Sequence, residues 1–108
     1  MKIIEHFVEG KKYSGTSKKT SSVYNPATGE TTAKVKLGSP EDLDKAVEVA
    51  KQAFLDWSNT PPLQRARVLF KFKELIEKNE DELIKIIVSE HGKVYEDARG
   101  SLARGLEI

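Results

Sequence analysis

The sequence predicts an α+β fold in which β-hairpins over residues 1–38 are followed by about four helices over residues 39–108. In the first segment, Val35 and Leu37 alternate with lysines, which is typical of a strand with one covered face and one solvated face. After residue 38, apolar residues recur every three or four positions, which is the period of an amphipathic helix. The change of period marks the boundary between the two segments.

The first hairpin is expected near the start of the chain. Residues 3–8 are rich in β-branched and aromatic side chains, residues 9–12 are expected to turn, and Tyr13 is expected to resume an extended path. The polar stretch 14–20 contains a glycine and is expected to be a loop.

A second reversal is expected at residues 25–30, between strands at residues 21–24 and 31–37. Pro26 restricts φ to a value that suits a turn, and Gly29 can adopt the positive φ that such a reversal often needs. The segment 1–38 therefore contains two hairpins joined by a loop.

The first helix is expected to begin at Ser39, whose side chain can cap free backbone amides, with Pro40 at the first helical position. Glu41 and Asp42 follow, and acidic side chains stabilise the positive end of the helix dipole. Residues 59–62 end this helix and start the next. The apolar face is expected to consist of Leu43, Ala46, Val47, Ala50, Ala53, Phe54 and Trp57.

The second helix, about residues 63–78, is apolar on two sides, which is typical of a helix held between two layers. A chain of 108 residues offers few layers, so part of this helix is expected to stay uncovered. One side has Leu63, Ala66 and Phe70, and the other has Val68, Leu69, Phe72, Leu75 and Ile76.

Two further helices are expected after residue 78. Asn79 is expected to cap the third, and His91 and Gly92 to close it, because glycine readily turns left-handed at a helix end. The fourth begins near Val94 or Tyr95. Since it is still apolar and periodic at residue 108, the chain is expected to be part of a longer protein.

The composition argues against several classes of protein. The formal net charge is +1, and the excess of lysines over residues 1–38 is spread along extended chain, so no nucleic-acid partner is expected. No apolar run approaches the ~18 residues of a membrane span. No secretory signal precedes the strands, and a cytoplasmic protein is expected.

Few residues suggest chemistry. The chain has no cysteine, and neither a GxGxxG nor a GxxxxGK[ST] motif occurs. His91 suits a helix end better than catalysis, and His6 is expected to be a packed or exposed strand residue. No catalytic, cofactor-binding or metal-ligating residue is therefore assigned.

Arg104 is the single candidate for a binding residue. It is expected on the side of the fourth helix opposite the apolar stripe, with the small residues Gly100 and Ser101 one turn earlier. This arrangement leaves room for a ligand carboxylate to engage the planar guanidinium with two hydrogen bonds. The alternative is an ordinary solvated arginine, paired with Glu107 at i+3.

Several motifs together resemble the amino-terminal segment of an aldehyde dehydrogenase. They are YNPATGE at 24–30, the alanine-rich first helix, RARVLF at 65–70 and EHGK at 90–93. Within that superfamily, TPPLQRARVLFKFKELIE, SEHGKVYEDARG and ARGLE are most similar to the CoA-acylating methylmalonate-semialdehyde dehydrogenases.

The resemblance implies that residues 39–108 are the helical part of an incomplete α/β NAD-binding domain. It implies an enzyme that oxidises a semialdehyde with NAD through a cysteine thiolate and transfers the acyl group to CoA. Neither NAD nor CoA is expected on this chain alone, which would be inactive. The implied partners are the rest of the enzyme and identical subunits in a dimer or tetramer. The implied location is cytoplasmic, or mitochondrial for a processed eukaryotic form.

Residue by residue, the resemblance transfers one role. Arg104 falls on the motif arginine that looks like it binds the substrate carboxylate in semialdehyde-specific members. Ser101 departs from the pattern, because the family usually has glutamate there. The alternative function is a non-catalytic helical module that binds a partner through its apolar faces.

Overall fold

The computed structural model describes residues 1–108 as five strands followed by four helices, which confirms the predicted α+β class. The chain divides into two compact units, one of Met1–Tyr24 with Thr31–Thr60 and one of Asn25–Glu30 with Pro61–Ile108. The elements are β1 (Lys2–Ile4), β2 (His6–Val8), β3 (Lys11–Tyr13), β4 (Thr20–Tyr24), β5 (Thr31–Lys36), α1 (Pro40–Trp57), α2 (Pro62–Lys78), α3 (Glu80–His91) and α4 (Tyr95–Glu107).

The first hairpin is formed by β2 and β3, which pair antiparallel. Its turn is shorter than the predicted 9–12, because Glu9 and Gly10 both adopt positive φ, 58° and 74°. A two-residue turn of this kind follows the twist of the strands and closes the hairpin at once. Lys11 therefore pairs with Val8 and belongs to the strand.

The second hairpin lies in a three-stranded sheet with the order β1-β5-β4. β4 and β5 pair antiparallel around the predicted reversal, where Gly29 has the expected positive φ of 73°. β1 pairs parallel with β5, so the strand predicted at residues 3–8 is two strands in different sheets. On β5, Ala33 is buried and Val35 is half-buried, but Leu37 lies beyond the strand and is exposed.

Helix α1 begins as predicted. Ser39 accepts a hydrogen bond from the Asp42 amide, the Asp42 side chain accepts one from the Ser39 amide, and Pro40 occupies the first turn. This reciprocal arrangement is a capping box. The predicted apolar face is largely exposed in this chain, since Leu43, Val47 and Phe54 each expose more than half of their surface.

In the second unit, α3 packs on α4, and the two fully buried side chains there are Ile84 and Ala98. Gly92 ends α3 with a left-handed φ of 82°, and its amide donates to the Val88 carbonyl, as predicted. Asn79 occupies the N-cap position of α3, as predicted, but its side chain does not cap that helix. Its side-chain amide donates 2.7 Å to the carbonyl of Leu75, so it caps the end of α2 and leaves the α3 amides without a side-chain cap.

Helix α2 buries none of its residues. Apolar side chains on both of its sides are exposed, as expected for a two-sided helix with too few neighbouring layers. None of the four helices combines the length and apolar content that crossing a bilayer requires.

Candidate functional site

The candidate site lies on the first three turns of α4 and on Lys93, two residues before the helix begins. Glu96 and Asp97 occupy the first turn of α4, where acidic side chains favour helix formation. Ala98 is completely buried and anchors this helix in its unit. The residues that the sequence singled out follow Ala98 on the same helix, so their positions are set by a packed element.

Arg104 folds back over the two small residues, as the spacing predicted. Its guanidinium donates a hydrogen bond of 3.2 Å to the Ser101 hydroxyl oxygen. A Cβ atom placed on Gly100 would lie 3.4 Å from one guanidinium nitrogen, an ordinary van der Waals distance, so the guanidinium lies over this part of the helix. The alternative pairing with Glu107 does not occur within 4.0 Å.

Lys93 reaches the same hydroxyl, which sequence reasoning missed. Its ammonium group donates a hydrogen bond of 2.8 Å to the Ser101 oxygen, and the lysine itself is half-buried. Lys93 lies in the connection between α3 and α4, so no helical period relates it to Ser101. The only signal in the sequence was a lysine directly after the helix-ending Gly92.

Lys93 and Arg104 are both without a carboxylate within 4.0 Å, unlike several other cations of this unit. Lys71 pairs with Glu74, and Lys85 pairs with Asp81. Arg99 is shared between Glu80 and Glu96. The two cations at Ser101 therefore form a local positive site with free N–H groups, and such a site can bind an oxyanion.

A second polar cluster, in the other unit, surrounds Asp42. Asp42 is 94% buried, and its carboxylate accepts hydrogen bonds from the Tyr13 hydroxyl (2.8 Å), the Thr16 amide (2.8 Å) and the Ser39 amide (2.9 Å). The Ser39 amide contributes most to holding the pKa of Asp42 well below its ordinary range, and the bond to Asp42 raises the pKa of Tyr13. This carboxylate is an acceptor with every partner present, which is typical of a structural role.

The histidines lie where they were predicted, in a strand and at a helix end. The Nε2 atom of His6 is buried without a hydrogen-bond partner, and its ring centroid is 6.2 Å from that of Tyr13. His91 is exposed at the last position of α3. No three histidine or acidic side chains are grouped as metal ligands.

The sequence matches one family model, described as the aldehyde dehydrogenase family, over residues 13–108. Malonate-semialdehyde dehydrogenase 3 of Geobacillus kaustophilus is 47% identical over 106 residues, which cover 98% of this chain and 22% of that protein. The malonate-semialdehyde dehydrogenase of Pseudomonas aeruginosa is 44% identical over 107 residues, 99% of this chain and 21% of that protein.

Solved structures agree with these sequence relatives. A protein from Sinorhizobium meliloti 1021, assigned to the methylmalonate-semialdehyde dehydrogenases and complexed with NAD, superposes with a TM-score of 0.96 at 47% identity. The methylmalonate-semialdehyde dehydrogenase of Oceanimonas doudoroffii gives 0.95 at 44% identity. Each match covers 99% of this chain and 22% of the other, so the chain spans about a fifth of the length of its relatives.

Proposed function

This chain belongs to the aldehyde dehydrogenase family, and we propose that it is the amino-terminal portion of an NAD-dependent, CoA-acylating malonate- or methylmalonate-semialdehyde dehydrogenase. Its fold is part of the NAD-binding domain of such enzymes. The identity of 43–47% with several malonate-semialdehyde dehydrogenases supports this substrate class. Because the chain covers about 22% of each, the activity of the whole protein is part of the proposal.

The observation that carries the proposal is the uncompensated guanidinium of Arg104. A malonate-type semialdehyde has a carboxylate beside its reactive aldehyde, and an arginine recognises a carboxylate through two parallel N–H donors. Arg104 has only the Ser101 hydroxyl as a partner, which leaves most of its N–H groups available. We therefore assign Arg104 to binding the substrate carboxylate.

The chain itself supplies neither a nucleophilic thiol nor a place for the nucleotide. It contains no cysteine. The cavity beside β2 and α1 is lined mainly by apolar side chains. It also contains the Asp42 carboxylate, whose negative charge would repel a pyrophosphate. The cavities beside α2 are also lined mainly by apolar side chains. These residues do not fit a dinucleotide. In this proposal the thiol, the NAD site and the CoA site come from other parts of the enzyme, and the isolated chain is inactive.

The proposed partners are the rest of the enzyme and identical subunits in a dimer or tetramer. The support is the exposed apolar surface of α2, where Leu69, Phe70 and Phe72 each expose about 60% or more of their area. Monomeric soluble proteins rarely leave large apolar patches uncovered. The proposed location of the enzyme is the cytoplasm. The proposed division of this chain is a hairpin segment at 1–38 and a helical part at 39–108.

The test uses a hybrid enzyme, in which this chain replaces the matching segment of the Sinorhizobium meliloti relative. In the hybrid enzyme, Arg104→Leu should raise the KM for malonate semialdehyde by about 10- to 100-fold, the usual size of a lost charge-assisted contact. The KM for propanal, which has the same number of carbons and no carboxylate, should not change. NADH formation measures both.

Arg99→Leu provides the matched control, because Arg99 is an exposed arginine of α4 whose guanidinium already pairs with Glu80 and Glu96. It should leave both KM values near those of the unmodified hybrid enzyme. If Arg104→Leu changes the two substrates equally, Arg104 does not bind the carboxylate.

The second candidate function is a non-catalytic helical module that binds a partner through the apolar faces of α1 and α2. The exposure of these faces favours it. Sequencing the gene beyond codon 108 separates the two: a continuing frame that encodes a cysteine-bearing domain supports the enzyme, and a stop codon supports the module.

A further inference from the structure

We propose that Lys93 and Ser101 complete, with Arg104, a three-donor site for one carboxylate, in which Lys93 is a second cation that contacts the anion. This inference rests on the proposed function, because it concerns the same arginine and the same ligand class. It adds a binding role for Lys93 and a positioning role for Ser101.

The hydrogen-bond inventory at Ser101 makes all three side chains donors. A serine hydroxyl has two acceptor lone pairs and one hydrogen. The oxygen accepts from Lys93 at 2.8 Å and from Arg104 at 3.2 Å, so both lone pairs are used. The hydroxyl hydrogen is left to donate, Lys93 retains two N–H groups, and Arg104 retains four. These free N–H and O–H groups can donate to water or to a bound anion.

The charges at this site favour an anion. The two distances place the Lys93 ammonium and the bonded Arg104 nitrogen no more than 6.0 Å apart. Two like charges this close repel each other, and no carboxylate lies within 4.0 Å of either. A bound carboxylate removes this repulsion, and the half-buried positions of Lys93 and Ser101 reduce screening by water.

The Arg104 guanidinium lies close to the helix at Gly100. Gly100 has no side chain, and even a Cβ atom there would approach the Arg104 guanidinium to 3.4 Å. The shared hydroxyl draws the ammonium and the guanidinium to one side of the helix. A carboxylate can then accept from both cations with its two oxygens, whereas a bare solvated arginine would bind it alone.

Kinetics of the hybrid enzyme test the role of Lys93. Lys93→Met should raise the KM for malonate semialdehyde about 10-fold, as expected for the loss of one charge-assisted hydrogen bond, with kcat and the KM for propanal unchanged. Lys93→Arg keeps the charge and should restore most of the affinity. Lys51→Met removes an exposed lysine of α1 that has no ion pair, and should change neither KM.

Substitutions of Ser101 test the positioning role. Ser101→Ala removes the oxygen that holds the Lys93 ammonium and the Arg104 guanidinium in place, and it also removes the hydroxyl donor. It should therefore raise the KM for malonate semialdehyde by about threefold. Ser101→Thr keeps the hydroxyl group and should leave this KM close to that of the unmodified hybrid enzyme. Neither variant should affect propanal.

The outcomes separate the two proposals. If Arg104→Leu raises the semialdehyde KM and Lys93→Met does not, the three-donor site is wrong and the proposed function stands. If Lys93→Met affects both aldehydes equally, the anion at this site is a carboxylate of the protein, which also overturns the inference. If neither substitution discriminates between the aldehydes, the role of Arg104 fails as well.

Discussion

At residue scale, Asp42 shows how one side chain joins distant parts of a unit. Its carboxylate binds the capping amide of its own helix and two groups of the segment that follows β2, the Tyr13 hydroxyl and the Thr16 amide. The sequence predicted Asp42 only as a favourable acid in a first helical turn. Its burial follows from contacts 26 and 29 residues away in sequence, which no local pattern contains.

Asp42→Asn should lower the Tm of the chain most strongly at neutral pH. The folded state lowers the pKa of Asp42, so its ionised form stabilises folding above its unfolded pKa of about 4. That contribution is lost as the pH falls from about 4 toward the lower folded pKa. The Tm difference between the parent chain and Asp42→Asn, followed by circular dichroism, should therefore narrow as the pH falls below about 4.

Asp44→Asn is the matched control, because Asp44 is exposed on the same helix and makes no side-chain hydrogen bond. Its effect on Tm should be small and should not follow the pattern of Asp42. A Tm difference for Asp42→Asn that stays constant from pH 7 to pH 2 would contradict the assigned role of the ionised carboxylate.

Individual residues also differ in how well the sequence predicted their place in the candidate site. Arg104 was found because it stands one turn from two small residues on a strongly periodic helix, and the structure places it over them. Lys93 was missed because its contact with Ser101 depends on the path of the chain after Gly92. Asn79 begins α3 as predicted, but its side chain caps the end of α2, because a residue between two helices can bond to either one.

At the scale of elements, the helices were predicted well and the strands less well. Each helix has its own period and its own start signal, as Ser39 and Pro40 show for α1. The strands depend on pairing instead. Residues 3–8 are split because β1 pairs with the distant β5 while β2 turns back on β3, and short β-branched runs do not indicate which partner they will find.

At this scale, the two loop glycines predict different losses of stability when each is replaced by alanine. Gly10 and Gly15 share the same φ of +74°, but a Cβ atom on Gly10 meets nothing within 4 Å, whereas one on Gly15 lies 2.8 Å from an Asp42 oxygen. Gly10→Ala should cost about 1–2 kcal/mol in the free energy of unfolding, the penalty for a left-handed residue with a side chain. Gly15→Ala should cost clearly more, because Asp42 is held by three donors and cannot move aside freely.

Urea unfolding of the two variants beside the parent chain gives the comparison. Equal losses of stability would show that the loop containing Gly15 is not fixed against Asp42. A larger loss for Gly10→Ala would also contradict this placement, since both residues carry the same backbone strain.

At the scale of the whole molecule, the apolar surface and the family relationship point the same way. The only buried apolar residues are Ala33, Ile84 and Ala98. The two-sided pattern of α2 predicted this exposure, and the motifs at 24–30, 65–70 and 90–93 predicted the family that residues 13–108 match. What lies against the exposed faces could not be predicted, because amphipathic periodicity shows that a face is apolar without identifying its partner.

The central claim is that this chain contributes a carboxylate-binding site to a semialdehyde dehydrogenase, and a crystal structure of the hybrid enzyme with malonate tests it most directly. One malonate carboxylate should lie within about 3.2 Å of both the Arg104 guanidinium and the Lys93 ammonium. Malonate bound elsewhere, with Arg104 paired to a carboxylate of the protein, would contradict the claim.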